Sequence, residues 1–237
     1  LVRERNVRRF NADAAAKDGY LYTRGSLSGR LSNARISACV ASLADFRGAR
    51  VLDLGCGDGT YTVELLDWGA AEVTGADAAA VAVAAAARRY RCRRGLRFRV
   101  LDVYQARPPR RRWDLMVIRG LLHHLYDAPR AVAAVAPLAR TVIVVEPNGY
   151  NPVLKLIERT SRYHIEHEEK SYPPHRLERW FKAQGGRISG RRYIGLVPFF
   201  CPDWAARLLK RVEPLVEALP GLRQVACAQY VFRVDFD

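Results

Sequence analysis

The chain has 237 residues, 49% of them apolar, which suits one α/β domain with a substantial core. Its net charge of +15 favours anionic partners such as nucleic acid or a membrane surface. No run of 18 apolar residues exists, which excludes a helical membrane span.

The first residues, 1–47, carry a helical stripe (Leu31, Ile36, Val40, Leu43) and predict an N-terminal helical cap over the ligand site. Tyr20, Tyr22, Arg24, Arg30 and Arg35 would close that cap on a ligand. The opening Leu1–Asn6 lacks a signal peptide's apolar core, and the scattered cysteines predict a cytoplasmic protein. The main domain, 48–237, begins with a strand at 51–54, a helix at about 60–68, and a strand Glu72–Ala76 ending in Asp77. An alanine-rich helix at 78–90 leads to a third strand, 96–101, ending in Asp102. A fourth strand, 114–118, is followed by Arg119-Gly-Leu-Leu-His-His-Leu125, a helix near 128–138, and a fifth strand, 141–146. Pro147-Asn-Gly-Tyr-Asn-Pro152 then opens a lid insertion over about 147–174. A helix at 175–183, a strand near 192–197, an amphipathic helix at 203–217 and a last strand at 228–236 complete the chain. Strands alternating with helices through short loops predict a doubly wound, Rossmann-like, mostly parallel sheet of seven strands.

Five cysteines, at 39, 56, 92, 201 and 227, form no C-x-x-C pair and predict reduced thiols without a zinc knuckle. Two arginine clusters, 88–99 and 107–112, dominate the charge. They read as a functional basic face or, given only five lysines, as the surface of a protein from a GC-rich genome.

The first strand breaks into Gly55-Cys-Gly-Asp-Gly59 before its helix, the grammar of a tight turn that lets a ligand meet bare backbone. Asp77 stands 22 residues beyond Gly55, where a Rossmann-type sheet hydrogen-bonds ribose hydroxyls. The spacing is G-x-G-x-G, not the G-x-G-x-x-G of pyrophosphate sites, and Asp53 and Asp58 flank it. Two carboxylates repel a pyrophosphate and favour a sulfonium or ammonium, so a cationic adenosine ligand fits. Cys56 reads as a small residue in a crowded turn.

At this point the chain resembles the class I S-adenosylmethionine-dependent methyltransferases over about 35–237, through Val51–Gly59, Asp77, Asp102 and Trp113–Leu125. The resemblance implies S-adenosylmethionine as cofactor and S-adenosylhomocysteine as product. It implies that Gly55, Cys56 and Gly57 line the methionine arm, with Asp53 reaching its ammonium and Arg119 and Gly120 flanking it. Asp77 and Ala78 would hold the ribose, Asp102 and the Val103 backbone the adenine; Asp102 also reads as a simple loop cap. A finer likeness is to the ubiquinone-biosynthesis O-methyltransferases, whose pre-strand arginine pairs with the cofactor carboxylate. Ser32-Asn-Ala-Arg35 holds that place, sixteen residues before Val51. The family's Glu-His-Val is His123-His124-Leu125 here, a departure that leaves the substrate open.

Methyl transfer to a hydroxyl needs alignment and a base. His124 is the first candidate and His123 the second. Asn148, Tyr150, Asn151, His164 and His167, with Tyr22, form the expected substrate lid. His164 and His167 would share a helical face beside Glu168, but a solvated helix explains them, and no metal is expected. There is no Asn/Asp-Pro-Pro-Tyr or Pro-Cys signature of the DNA-base enzymes. The expected acceptor is a small or lipid-like molecule, collected through peripheral contact of the basic face, the lid and the 203–217 helix with anionic membrane. RNA methylation and a non-catalytic cofactor-binding partner are the alternatives.

Overall fold

The computed structural model describes residues 11–12, 25–161 and 170–237. Seven strands form one sheet: β1 (Arg50–Leu54), β2 (Glu72–Asp77), β3 (Leu96–Val100), β4 (Trp113–Arg119), β5 (Ala139–Pro147), β6 (Arg187–Ile194) and β7 (Gln229–Asp235). Their order is β3-β2-β1-β4-β5-β7-β6. The first five are parallel, and β7 runs antiparallel between β5 and β6. β1 is buried from Val51 to Leu54 because helices cover both faces, which is why it reads as an apolar run without alternation. Strand order reverses between β1 and β4, leaving a crevice beyond their carboxyl ends where ligands of such sheets bind. Leu54 is level with Ala76 on one side and Ile118 on the other. The glycine turn, Asp77 and Arg119 therefore emerge at one end of the sheet.

The helices are α1 (Leu27–Leu43), α2 (Thr62–Asp67), α3 (Ala80–Arg89), α4 (Ala128–Val135), α5 (Pro152–Thr160), α6 (Pro174–Lys182), α7 (Asp203–Ala218) and α8 (Pro220–Ala226). Ser26 starts α1 by accepting the Gly29 amide at 3.0 Å. Ile36, Cys39, Val40 and Leu43 of α1 pack with Val51, Ile143 and Val231 of the sheet. This helix is thus built into the sheet's own core, and position 47 divides nothing in that core. On the opposite face α4 and α6 supply Val132, Val135, Leu177 and Phe181 against Met116, Ile118, Val142 and Val144. Truncating the fully buried Phe181 to alanine costs about 3–5 kcal/mol on the general scale for such cavities.

Two segments differ from the sequence expectation. β6, expected near 192–197, begins at Arg187; it is an edge strand with a register shift between Ile188 and Gly190, so its periodicity is weak. The insertion after β5 is helical over Pro152–Thr160, because Asn151 caps the Val153 and Leu154 amides and Pro152 stands at the first helical position. No helix among the described residues is long and apolar enough to cross a membrane.

Candidate cofactor and acceptor site

Gly55, Gly57 and Gly59 all adopt positive φ, of 83°, 51° and 77°. A Cβ on Gly59 would meet the Phe98 ring at 2.8 Å, so the turn requires glycine there on both counts. The amides of Gly55, Cys56, Gly57, Gly59 and Thr60 are satisfied within the protein. Gly55 and Cys56 donate to the Ala76 carbonyl, Gly59 to the Cys56 carbonyl, and Thr60 to Asp58. Gly57 donates to Asp77 Oδ2 at 2.9 Å, and Ala79 to Asp77 Oδ1 at 2.8 Å. An anion-binding nest presents open amides to its ligand, and these are closed.

Burial pushes the carboxyls at this turn upward. Asp53, 5% exposed, accepts the Thr62 hydroxyl at 2.6 Å, and its pKa stands at about 6. Desolvation causes the rise, Thr62 and Arg119 oppose it, and Asp77 adds to it. Asp77 is raised for the same first reason, with the Ala79 and Gly57 amides pulling the other way. Two recessed acids beside one another suit a cationic ligand and oppose a pyrophosphate, so the site fits a sulfonium nucleoside. Burial pushes the Cys56 thiol far up, which removes it as a nucleophile. Asp102 caps the turn Val103–Gln105 through the Tyr104 amide at 3.0 Å, and Val103 is buried beneath it. Ala78 is half-buried directly after Asp77.

The structure brings Arg119, and not Arg35, to this turn. Arg119 lies over the Tyr61 ring at 3.6 Å and donates to Asn33 Oδ1 at 2.9 Å and Ser37 Oγ at 3.0 Å. Its burial lowers its pKa, opposed by Tyr61, Glu64 and Asp53. No carboxylate forms an ion pair with it among the described residues. Arg35 instead forks onto Glu217 of α7, with Nε 3.1 and 3.2 Å from the two carboxylate oxygens, and approaches Glu213. Its fork serves to tie α1 to α7, which corrects the cofactor-carboxylate role expected from its spacing.

Beyond β4 the chain turns at Gly120, φ 66°, into a short helical turn over Leu122–His124. Glu146, 1% exposed near the end of β5, organises this loop. Its Oε1 accepts the Leu121 and Leu122 amides at 3.0 and 2.7 Å, and its Oε2 accepts the His123 amide at 3.2 Å. Oε2 also lies 2.7 Å from His123 Nδ1. The carboxylate therefore goes to His123, while His124 packs its ring against His123 at 3.9 Å between centroids. A Cβ on Gly120 would lie 3.6 Å from His123 Cε1, so that edge of the ring faces the end of β4. Sequence reading missed Glu146; its visible signal is one acid ending a buried apolar strand.

The lid residues separate. Asn148 is fully buried; its amide donates to the Gln224 and Cys227 carbonyls, and its oxygen accepts the Tyr150 amide. Asn151 caps α5 and donates to the Ala226 and Cys227 carbonyls. Both asparagines brace α8 against the end of β5, a correction to their expected substrate contacts. Tyr150 stays exposed beside His175, 2.6 Å away. Tyr104, Tyr126 and Tyr172 add phenol rings near this loop, and Tyr172 is raised by burial and then by the nearby Glu146 charge. Tyr22, His164 and His167 lie outside the described residues. Among the described residues no group of three or more His, Cys, Asp or Glu side chains is arranged to hold a metal.

Comparison with known proteins bears on this arrangement directly. Residues 51–149 match the family model described as a methyltransferase domain. The match covers 99 of the 237 residues, and over that stretch the chain is similar to a methyltransferase domain. That segment holds the glycine turn, Asp77, Asp102, Arg119, His123 and Glu146 together. No curated protein matches the sequence. The chain's fold is shared with magnesium protoporphyrin IX methyltransferase of Synechocystis PCC 6803, solved with bound S-adenosylhomocysteine. That likeness has 14% identity, covers 98% of this chain and 93% of the other, and has a TM-score of 0.63. The N-methyltransferase NodS of Bradyrhizobium japonicum WM9, also with S-adenosylhomocysteine, has 11% identity, 98% coverage of each chain and a TM-score of 0.66. The cyclase SpnF has 18% identity, covers 98% of this chain and 93% of its own, and has a TM-score of 0.67. Identities this low show a common fold, and the cyclase among them shows that the fold alone does not set the reaction.

Proposed function

We propose that the chain methylates a hydroxyl (or amine) of a small, lipid-like acceptor, with His123 as the base. Asp77 is assigned the ribose diol, Asp102 and the Val103 backbone the adenine, and Gly55 and Gly57 the methionine arm. Asp53 is assigned the cofactor ammonium, and Arg119 its carboxylate in place of Arg35. A guanidinium buried among neutral partners is completed by a carboxylate from the ligand, which makes Arg119 the chemically apt residue.

Bound at this turn, S-adenosylmethionine supplies an already activated methyl group, so the protein adds alignment and proton removal. The observation that carries the reading is the 2.7 Å contact between His123 and Glu146. With Nδ1 held by the carboxylate, the imidazole is assigned the removal of the acceptor's proton. Glu146 then stabilises the imidazolium, as the orienting acid does in a hydrolase triad. His124 buttresses the ring.

Peripheral contact with anionic membrane would bring a lipid-like acceptor to the site. The arginine cluster of 88–99, exposed along the end of α3 and on β3, lies at the far edge of the sheet from α7, and with the cluster of 107–112 before β4 it keeps RNA as the second reading. Incubation of a fractionated lysate with tritiated S-adenosylmethionine tests the assignment. Label is expected in a small-molecule or lipid fraction, and to drop when His123→Asn replaces the wild type. Label confined to RNA overturns it.

A further inference from the structure

Helix α7 is amphipathic in the unexpected sense. Towards the protein it presents Ala206, Glu213 and Glu217. Glu213, only 2% exposed, pairs with Lys210 and accepts the Leu196 amide at 3.0 Å; Glu217 holds Arg35 and the Gly195 amide. Towards solvent the same helix presents Trp204, 71% exposed, Leu208 and Leu215, 67% exposed. With 3.6 residues per turn, these three fall within an arc of about 40° on one side. Arg207 and Arg211 flank them, both exposed, and neither pairs with a carboxylate among the described residues. The apolar surface continues on α8 at Leu222 and Val225. Asn148 and Asn151 bind the end of α8 to the start of α5, where Val153 and Leu156 are each 62% exposed.

We infer that the outer face of α7 and α8, continued onto α5, is a docking surface for an anionic lipid bilayer. Charge complementarity selects the occupant. Tryptophan and leucine bordered by arginine is the composition of a helix lying at the headgroup boundary, where aliphatic stems follow the apolar side chains and guanidinium heads reach phosphate. A second copy of the chain is a poorer fit, because a two-fold contact on this face would bring the arginines of both copies together. A protein partner is also a poorer fit, since the centres of protein interfaces are depleted of charge. The face adjoins the carboxyl end of β5, so docking would turn the acceptor side of the site towards the lipid. The inference deepens the reading of a lipid-like acceptor, yet it stands on this surface alone and its test involves no turnover.

The test is flotation of the full chain with phosphatidylcholine vesicles, with and without phosphatidylglycerol. Wild type is expected to float with the anionic vesicles only. The combined variant Trp204→Ser, Leu208→Ser and Leu215→Ser keeps every charge, so adsorption through the arginine clusters at the β3 edge would survive in it. We expect it instead to partition about tenfold more weakly or worse, with an unchanged circular-dichroism melt. Bromine-labelled acyl chains should quench wild-type tryptophan emission and lose that effect in Trp204→Phe. The inference is overturned if wild type ignores anionic vesicles, if the triple variant floats equally, or if sedimentation shows a dimer that the triple variant dissolves.

Discussion

In the half of the sheet from β1 to β3, functional groups are placed by neighbours in the chain: glycines at positive φ, and acids at strand tips that bond amides two residues away. In the half from β4 to β7 they are placed by partners far along it. Glu146 gathers a loop 23 residues earlier, Asn148 holds carbonyls 76 and 79 residues later, and Arg35 meets Glu217 across 182 residues. On the proposed function, the first half carries the cofactor side of the site and the second the acceptor side. Variants on the acceptor side should therefore alter turnover and stability, and variants on the cofactor side should alter affinity.

The largest effect is expected at His123. His123→Asn should lower turnover by about 10²–10⁴-fold while leaving S-adenosylhomocysteine affinity unchanged in calorimetry. His124→Ala, which removes the ring packed against His123, should cost nearer to about tenfold. Equal losses in the two variants would break the assignment of the base to the residue that holds Glu146.

Glu146→Ala should come next, because it leaves three amides and a histidine without their acceptor. Buried groups so abandoned cost about 1–3 kcal/mol each before relaxation, so a clear fall in melting temperature is expected together with lost turnover. Glu146→Gln keeps part of the geometry and should recover stability more than activity. Recovery of both in equal measure would reduce Glu146 to a loop anchor.

A smaller effect belongs to Asp53. Its pKa is raised to about 6, so the folded protein binds a proton more tightly than the unfolded chain. Stability is therefore greatest below the unfolded carboxyl's pKa and falls as pH rises through about 6, by roughly 3 kcal/mol in all. A bound ammonium favours the ionised acid. S-adenosylhomocysteine affinity should thus weaken as pH drops below about 6, by up to tenfold per unit, and Asp53→Asn should flatten that slope. An unchanged slope in the variant would remove Asp53 from the ammonium site.

The same contrast explains what the sequence could disclose. The β1 turn, Asp77 and the strand–helix alternation are local patterns set by backbone sterics and burial, and they stand where composition and spacing placed them. Arg35 had the right spacing for a cofactor contact, but its partner on α7 is visible only once the chain is folded. Asn148 and Asn151 read as polar loop residues because nothing nearby in sequence reveals the α8 carbonyls they satisfy. β6 started early because its edge position and the shift at Gly190 blur the alternation that marks a strand. The 203–217 helix was legible as an amphipathic membrane element, but which of its faces turns outward, with Trp204 71% exposed, is set by the burial of Glu213 and the Arg35–Glu217 pair.

The central claim is that the glycine turn and Asp77 hold the adenosyl group of S-adenosylmethionine. Calorimetric titration of wild type and Asp77→Ala with S-adenosylhomocysteine addresses it most directly. The account predicts saturable binding by wild type and a loss of at least about 100-fold in the variant, whose ribose contact and Gly57 amide bond are both gone. Undiminished affinity in Asp77→Ala, or no binding by the wild type, would contradict it.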